Sequence, residues 1–368
     1  MIQRPRLKGY LTVVPQDDAA FVVHGSEGEV WRLRLDPARH AGFRRLLPLL
    51  TGEHELAEIQ DRVATADLPG DAVRRLVDGL ETAGIIEDGT DGVLPPRDRA
   101  RYRDQLLFFS RFSAGRDGAA FQRRLADASV DILQSGPLGL AVARHLARAG
   151  VGRLTLIDDD PARLDAHVAA SRDAVDGVVE GRRLVRSAID ELVRGSSSGL
   201  LIAALESFDP QLLEAVNDAA LAARRPWLLV QQRGAAEGLV GPLFVPGHTA
   251  CYMCMEGRLR ANTALVAEYD ALREYLRLQC ASGRPWGGLA PHGEILAGIA
   301  AAEVVKHITG FAPPRLAGRF CSVNWFTWST ELHDVLRVPR CPFCRPPRVE
   351  TFPWAEFPQP EPEAEPVR

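Results

Sequence analysis

Two Cys-x-x-Cys segments, Cys251-Tyr-Met-Cys254 and Cys341-Pro-Phe-Cys344, carry four of the chain's 6 cysteines. Zinc takes four thiolates in a tetrahedron, and a two-residue spacer lets both sulfurs of a pair reach one ion. Pro246-Gly247 precedes the first pair, and Pro342, Pro346 and Pro347 lie in or just after the second. Such residues favour tight turns that point sulfurs inward. A single Cys-x-x-Cys is shared with redox and haem motifs, but two in one chain point to one shared metal ion. Separate redox pairs, disulfides or inert thiols are the other readings. Four thiolates leave no open position for water, so this zinc is expected to be structural and not catalytic. Cys280 and Cys321 are left over and read as small core residues.

A second constellation lies on strand-like and helix-like segments. Val130-Asp-Ile-Leu133 is a short apolar strand, followed by the turn Gln134-Ser-Gly-Pro-Leu-Gly139 and a helix from Leu140 to Ala149. Gly150-Val-Gly152 ends that helix, and Arg153–Ile157 is the next strand, closed by Asp158-Asp-Asp160. Strand, glycine turn, helix and strand in this order have the geometry of a nucleotide-binding unit. Further strands are expected at Leu200–Ala204 and Pro226–Val230, with a helix through Ala215–Ala223 between them. Strands alternating with helices imply α/β architecture and a mostly parallel sheet. After Cys254, helices are expected to about Leu278 and from Gly293 to Thr309.

The first 95 residues follow another pattern. Leu11–Val14, Phe21–Val23 and Glu29–Leu35 read as strands. Helical spacing then takes over: Leu46, Leu47, Leu49 and Leu50 up to Gly52, then Leu56, Ile59 and Val63, then Val73, Leu76, Val77 and Leu80 up to Gly84. Three strands followed by three helices is a winged-helix-like α+β order. A DNA-binding regulator is one reading of it. The third helix, however, mixes Arg74 and Arg75 with Asp71, Asp78 and Glu81, a poor face for phosphates.

The 368 residues suggest two or three domains, with hydrophobic content of 46% and charged content of 25% as in ordinary globular proteins. A net charge of -4 gives no argument for nucleic acid or an anionic membrane. With no signal-peptide pattern and no uninterrupted run of 18 apolar residues, a cytoplasmic location is expected. The expected division is a small domain over 1–95, a linker and connecting helix over 96–125, an α/β domain over 126–350, and a disordered Pro/Glu tail over 351–368.

Residues 1–95 resemble the PqqD-like leader-peptide recognition domain. The resemblance rests on Arg4-Pro-Arg-Leu-Lys8, on the strands after it, and on the helix ending Leu80-Glu-Thr-Ala-Gly-Ile-Ile86. It implies that a leader peptide adds as a strand beside Glu29–Leu35 and packs against Asp71–Leu80. Arg32, Leu33, Arg34, Arg74 and Arg75 are the contacts it implies, with plain solvated surface as the alternative. The remainder resembles the ThiF / ubiquitin-activating-enzyme superfamily through Leu146-Ala-Arg-Ala-Gly-Val-Gly-Arg-Leu-Thr-Leu-Ile-Asp158 and Ala301-Ala-Glu-Val-Val-Lys-His-Ile-Thr-Gly310. Members commonly carry the paired Cys-x-x-Cys staple. Gly241-Pro-Leu-Phe-Val-Pro-Gly-His-Thr-Ala-Cys-Tyr-Met-Cys254, with Arg258 and Ala261-Asn262, resembles the branch that accompanies a YcaO-type cyclodehydratase in azole-forming (TOMM, bacteriocin-type) RiPP pathways.

The superfamily resemblance also says what an active nucleotide site requires, and this chain keeps part of it. Gly136 and Gly139 remain, but Gln134 stands at the first glycine and Pro137 removes an N–H donor from the cradle. Asp158 stands where a ribose-binding carboxylate would lie. The Asn-Arg-Gln segment of active members is absent, leaving Arg163 and Arg172 as substitutes without a motif. Glu206 stands where a magnesium-binding Asp is expected. The expectation is a degenerate site, no ATP use by this chain alone, and no catalytic residue of its own. It implies a leader-capturing partner of a YcaO-type enzyme; superfamily members are often homodimers, and the sequence leaves the oligomeric state open. The alternative is an ATP-dependent adenylating enzyme acting on a peptide or sulfur-carrier carboxylate.

Overall fold

The structure is a computed structural model. It describes residues 2–344 except 19, 26, 27, 29, 66, 67, 90–93, 113–117, 135, 173–177 and 280–282. Glu29, Cys280 and the tail over 351–368 therefore lie outside the described residues, as does the side chain of Arg172.

The N-terminal unit comprises β1 (Pro5–Leu7), β2 (Thr12–Pro15), β3 (Ala20–His24), β4 (Val30–Arg34), α1 (Pro37–Leu46), α2 (Leu56–Val63), α3 (Gly70–Thr82) and β5 (Ile86–Asp88). Strands β2, β3 and β4 form an antiparallel sheet with β4 at one edge, and β5 returns to pair with β1. The expected first helix lies earlier than its leucines suggest. Asp36 caps it by accepting the Arg39 N–H at 2.9 Å, and Pro37 pre-sets its first turn. It ends at Leu46 because Pro48 has no N–H to continue it, and Leu47–Leu49 form a 3-10 turn instead. Helices α2 and α3 bury Leu56, Ile59 and Val63, and Val73, Val77 and Leu80, at intervals of three and four. These side chains close one core with Phe21, Val23 and Ile86.

Three short helices follow: α4 (Pro96–Arg101), α5 (Arg103–Ser110) and α6 (Ala119–Ala126). Phe109 of α5 and Leu125 of α6 are buried in the core of the body. The body then runs β6 (Ser129–Leu133), α7 (Pro137–Arg148), β7 (Arg153–Asp158), α8 (Pro161–Arg172), β8 (Val178–Arg183), α9 (Ile189–Gly195), β9 (Leu200–Leu205), α10 (Pro210–Ala223), β10 (Trp227–Arg233) and β11 (Glu237–Phe244). It closes with α11 (Tyr252–Ala261), α12 (Val266–Leu278), α13 (Ala290–Thr309), β12 (Arg319–Asn324) and β13 (Ser329–Asp334).

Among the described residues the main sheet has eight strands in the order β13-β12-β11-β10-β9-β6-β7-β8. From β8 to β10 they run parallel, and β11 to β13 are antiparallel additions. Strand β9 explains why the centre reads as an unbroken apolar run. Its Leu200, Ile202 and Ala204 join the core under α7 and α13, whereas Leu201, Ala203 and Leu205 join the core under α9 and α10. A strand buried on both faces needs apolar residues at every position. Because β6 is flanked by β7 on one side and β9 on the other, the strand order reverses there. That reversal opens a crevice at the carboxyl ends of the strands, where ligands bind in such sheets. No helix among the described residues is long and apolar enough to cross a membrane.

Candidate functional site

The four cysteines converge. Cys251 Sγ lies 3.8 Å from Cys254 Sγ and 3.8 Å from Cys341 Sγ, and Cys254 Sγ lies 3.5 Å from Cys344 Sγ. All four ligand atoms lie within 4.8 Å of one another. A tetrahedron with Zn–S bonds of about 2.3 Å has edges of about 3.8 Å, so the donor set fits zinc in chemistry and in size. Cys251, Cys254 and Cys341 are buried. Cys251 is the N-cap of α11, so the first pair sits at the positive end of a helix, which favours thiolates. Two arginines hold the second pair against the first. Arg258 of α11 donates to the carbonyls of Leu336 and Arg337, and Arg337 donates to that of Thr249 at 3.0 Å and to that of Gly247. Four thiolates on one zinc would leave no open coordination position, and the leftover Cys321 lies in the main core.

The crevice at the end of β6, β7 and β9 brings Gln134, Gly136, Asp158 and Glu206 together. Gln134 has φ 65, the left-handed region where glycine is the default, so the backbone keeps the shape of a glycine turn without the glycine. Helix α7 starts at Pro137 and not at Leu140, which places Gly139 inside the helix and out of the turn. A Cβ on Gly139 would lie 2.3 Å from the Gln134 carbonyl oxygen, so glycine is required there for close packing of helix and turn. Gly136 precedes the helix, and a Cβ on it would lie 2.3 Å from Glu206 Oε2. Glu206 Oε1 meanwhile accepts the Leu138 N–H at 3.2 Å. The chain's own carboxylate thus occupies the positive end of α7, where a phosphate would otherwise bind. Burial pushes the Glu206 carboxyl above its ordinary range, opposed by that N–H.

Asp158 is equally committed. It is fully buried, and Arg163 grips it through Nη2 at 2.5 Å from Oδ1 and Nε at 3.2 Å from Oδ2. The hydrogen bond to Asp158 is the first cause that raises the Arg163 guanidinium above its ordinary range, against the opposing effect of burial. Arg186 bridges Asp209 at 2.6 Å and Asp159 at 3.3 Å. The crevice, of about 360 Å³, is lined by Asp159, Asp160, Glu206 and Asp209 against Arg163 and Arg186, both already paired. An added polyphosphate would meet a net excess of carboxylates. Arg163→Ala should cost about 3 kcal/mol of stability in a denaturant titration, the lower end of the range for orphaning a buried charge, because Arg163 is itself partly exposed.

Arg186, Asp159 and Asp209 were not anticipated as site residues. Only Asp209-Pro210 left a signal, that of a helix cap, and Asp209 does accept the Leu212 N–H at 3.1 Å. In the N-terminal unit, Trp31 and Leu33 of β4 turn toward the core, while Arg32 and Arg34 are exposed. Arg74 and Arg75 lie on α3 and pair along it with Asp78 at 3.9 Å and Asp71 at 2.5 Å. The structure therefore separates the four arginines into two without an ion pair among the described residues and two engaged along their own helix.

No family model matches the chain. In sequence it is 27% identical over 275 residues to the protein HesA of Leptolyngbya boryana, covering 68% of this chain and 87% of that one. It is also 27% identical over 230 residues to the molybdopterin-synthase adenylyltransferase of Escherichia coli, covering 61% and 89%. In fold the chain is ThiF-like. Against the sulfur carrier protein ThiS adenylyltransferase of Bacillus subtilis the identity is 30% over 164 residues, and the chain spans only 46% of that protein. The structure of Escherichia coli MccB with ATP superposes with a TM-score of 0.60 at 19% identity, covering 93% of this chain and 99% of that one. PaaA superposes with a TM-score of 0.63 at 20% identity, covering 90% and 100%. A cover of 93% takes in more than the ThiF-like body, so the likeness of fold extends into the N-terminal unit.

Proposed function

We propose that this ThiF-like chain is a peptide-capturing partner protein, catalytically silent alone, that presents a precursor peptide to a YcaO-type cyclodehydratase making azole- or azoline-containing ribosomal peptides. The observation that carries the reading is the self-paired crevice: Glu206 sits on the α7 N-terminus and Arg163 holds Asp158. A scaffold can outlive its nucleotide site, because function resides in the site and not in the fold. The edge strand β4 supports capture by strand addition within residues 1–95, read as a PqqD-like recognition domain. That MccB is a microcin C7 biosynthetic enzyme seen in complex with N-formylated MccA supports a peptide ligand for this fold. Capture followed by docking turns a bimolecular encounter into an intramolecular one, at effective concentrations on the order of millimolar. The zinc ion, held by Cys251, Cys254, Cys341 and Cys344, would be structural.

A second reading, ATP-dependent adenylation of a peptide or sulfur-carrier carboxylate, is favoured by the adenylyltransferases among the sequence relatives. ATP–pyrophosphate exchange by the full-length protein with its precursor peptide separates the two. The expected result is no exchange above background, with heterocycle formation appearing only when the YcaO-type partner is added. Robust exchange that disappears in Asp158→Ala would establish the second reading in place of the first.

A further inference from the structure

Beside the crevice, and separate from it, lies a pocket of about 180 Å³ between β10, α11 and α12. Its wall includes Phe208, Tyr252, Met255, Leu259, Tyr269 and Trp286, an apolar and largely aromatic surface. Phe208 and Tyr269 stack with ring centroids 5.9 Å apart. Cavities of about 150 Å³ accept one benzene ring, so the space suits a single aromatic ring. Main-chain bonds tie this wall in place: Gly283 N–H donates to the Phe208 carbonyl at 2.6 Å, and Trp286 N–H to that of Glu206 at 3.1 Å.

Two donors at the carboxyl end of β10 give the pocket a polar pole. Gln231 lines it and is 6% exposed, yet its Nε2 has no hydrogen-bond partner among the described residues. Buried amides almost always have an acceptor, so a donor left open here asks for one from outside the chain. Arg233, two residues on and on the same face of the strand, lines the pocket as an exposed guanidinium. The one carboxylate in the wall, Glu256, does not oppose an anion. It is buried and already accepts from Tyr269 Oη at 2.6 Å, from Tyr252 Oη at 3.4 Å and from Arg273 Nη1 at 2.6 Å. Arg273 also pairs with Glu214, which Arg277 meets at 3.5 Å, so two guanidiniums stand against the two carboxylates.

We infer that this pocket binds one aromatic ring carrying a hydrogen-bond acceptor, the ring lying among Phe208, Tyr252, Met255 and Tyr269 and the acceptor taken by Gln231 Nε2 and Arg233. The acceptor could be the main-chain carbonyl of an aromatic residue within a peptide, or the carboxylate of an aromatic acid. The inference does not depend on the silent-crevice reading, and its failure leaves that reading standing.

Calorimetry or ligand-observed NMR on the full-length protein tests it with N-acetylphenylalanine, N-acetylphenylalaninamide and N-acetylleucine. A dissociation constant on the order of 1 mM is expected for the aromatic probes, as for small ligands of this size. Gln231→Leu should weaken binding about tenfold while leaving the protein folded, since it removes an unpartnered buried amide. If the amide and the acid bind alike, the natural ligand is an aromatic residue inside a peptide. If only the acid binds and Arg233→Ala abolishes it, the ligand is an aromatic carboxylate. The proposal is overturned if N-acetylleucine binds as well as the aromatic probes. It is equally overturned if no probe binds at about tenfold above the expected constant, or if binding survives both substitutions unchanged.

Discussion

Cys251→Ser should strip the protein of its metal and lower its melting temperature by about 10 °C. Structural zinc sites of this kind contribute directly to folding free energy, and losing even ~3 kcal/mol shifts a domain of this size by roughly 2–4 °C per kcal/mol. The sulfur of Cys251 lies 3.8 Å from sulfurs of both pairs, so its loss breaks the tetrahedron and not only one arm of it. A serine would leave three buried or half-buried thiols with no ion to share. Metal analysis of the unaltered protein should give one zinc per chain, and a chelator should reproduce the effect of the substitution. A folded, metal-free protein with unchanged melting would refute the structural role.

Proline at whichever of Arg32 and Leu33 in β4 turns its N–H to the open edge should abolish binding of the precursor's leader to the full-length protein. In an antiparallel strand, successive residues turn their N–H and C=O groups to opposite edges. One of Arg32 and Leu33 therefore faces β3 and the other faces the open edge. Proline scanning of both, each checked by circular dichroism, should find one variant that stays folded and loses the peptide. Charge reversal of Arg32 and Arg34 should weaken an acidic leader about fivefold and reduce its salt dependence, a rim effect. Reversal of Arg74 and Arg75 should matter less, because Asp78 and Asp71 already engage them. Undiminished binding in every proline variant would move the recognition site out of the N-terminal unit.

Much of the architecture was legible because it depends on local spacing. The runs around Val130, Leu154, Leu200 and Leu228 are buried on both sides and show no polar interruption apart from Asp131 and Thr155. The strands at the two ends of the sheet carried no such mark. In β13, Ser329–Asp334, no residue is buried, so alternation has nothing to act on. The start of α7 was misplaced for a different reason: Pro137 and Gly139 read as turn residues, while both are favourable in the first turn of a helix packed this closely. The four cysteines declared their site through spacing alone. The filling of the crevice did not, since Glu206 and Leu138 meet across 68 residues of sequence. Arg163 and Asp158 are close in sequence, but only the bend after β7 makes the arginine turn back. Side chains that close a site from a distance leave no periodicity behind.

The cysteine tetrad joins positions 90 residues apart, and every helix and strand from α12 to β13 lies inside the ring it closes. That ring cannot be sealed during synthesis until Cys344 has left the ribosome, by which point all strands of the sheet have been made. Were zinc held there, its capture would be a late checkpoint in the birth of the protein. It would fasten the antiparallel flank, β11 to β13, after the parallel centre has had time to assemble. In a cell short of zinc, the first lesion would be a loosened seam on that flank around an intact middle.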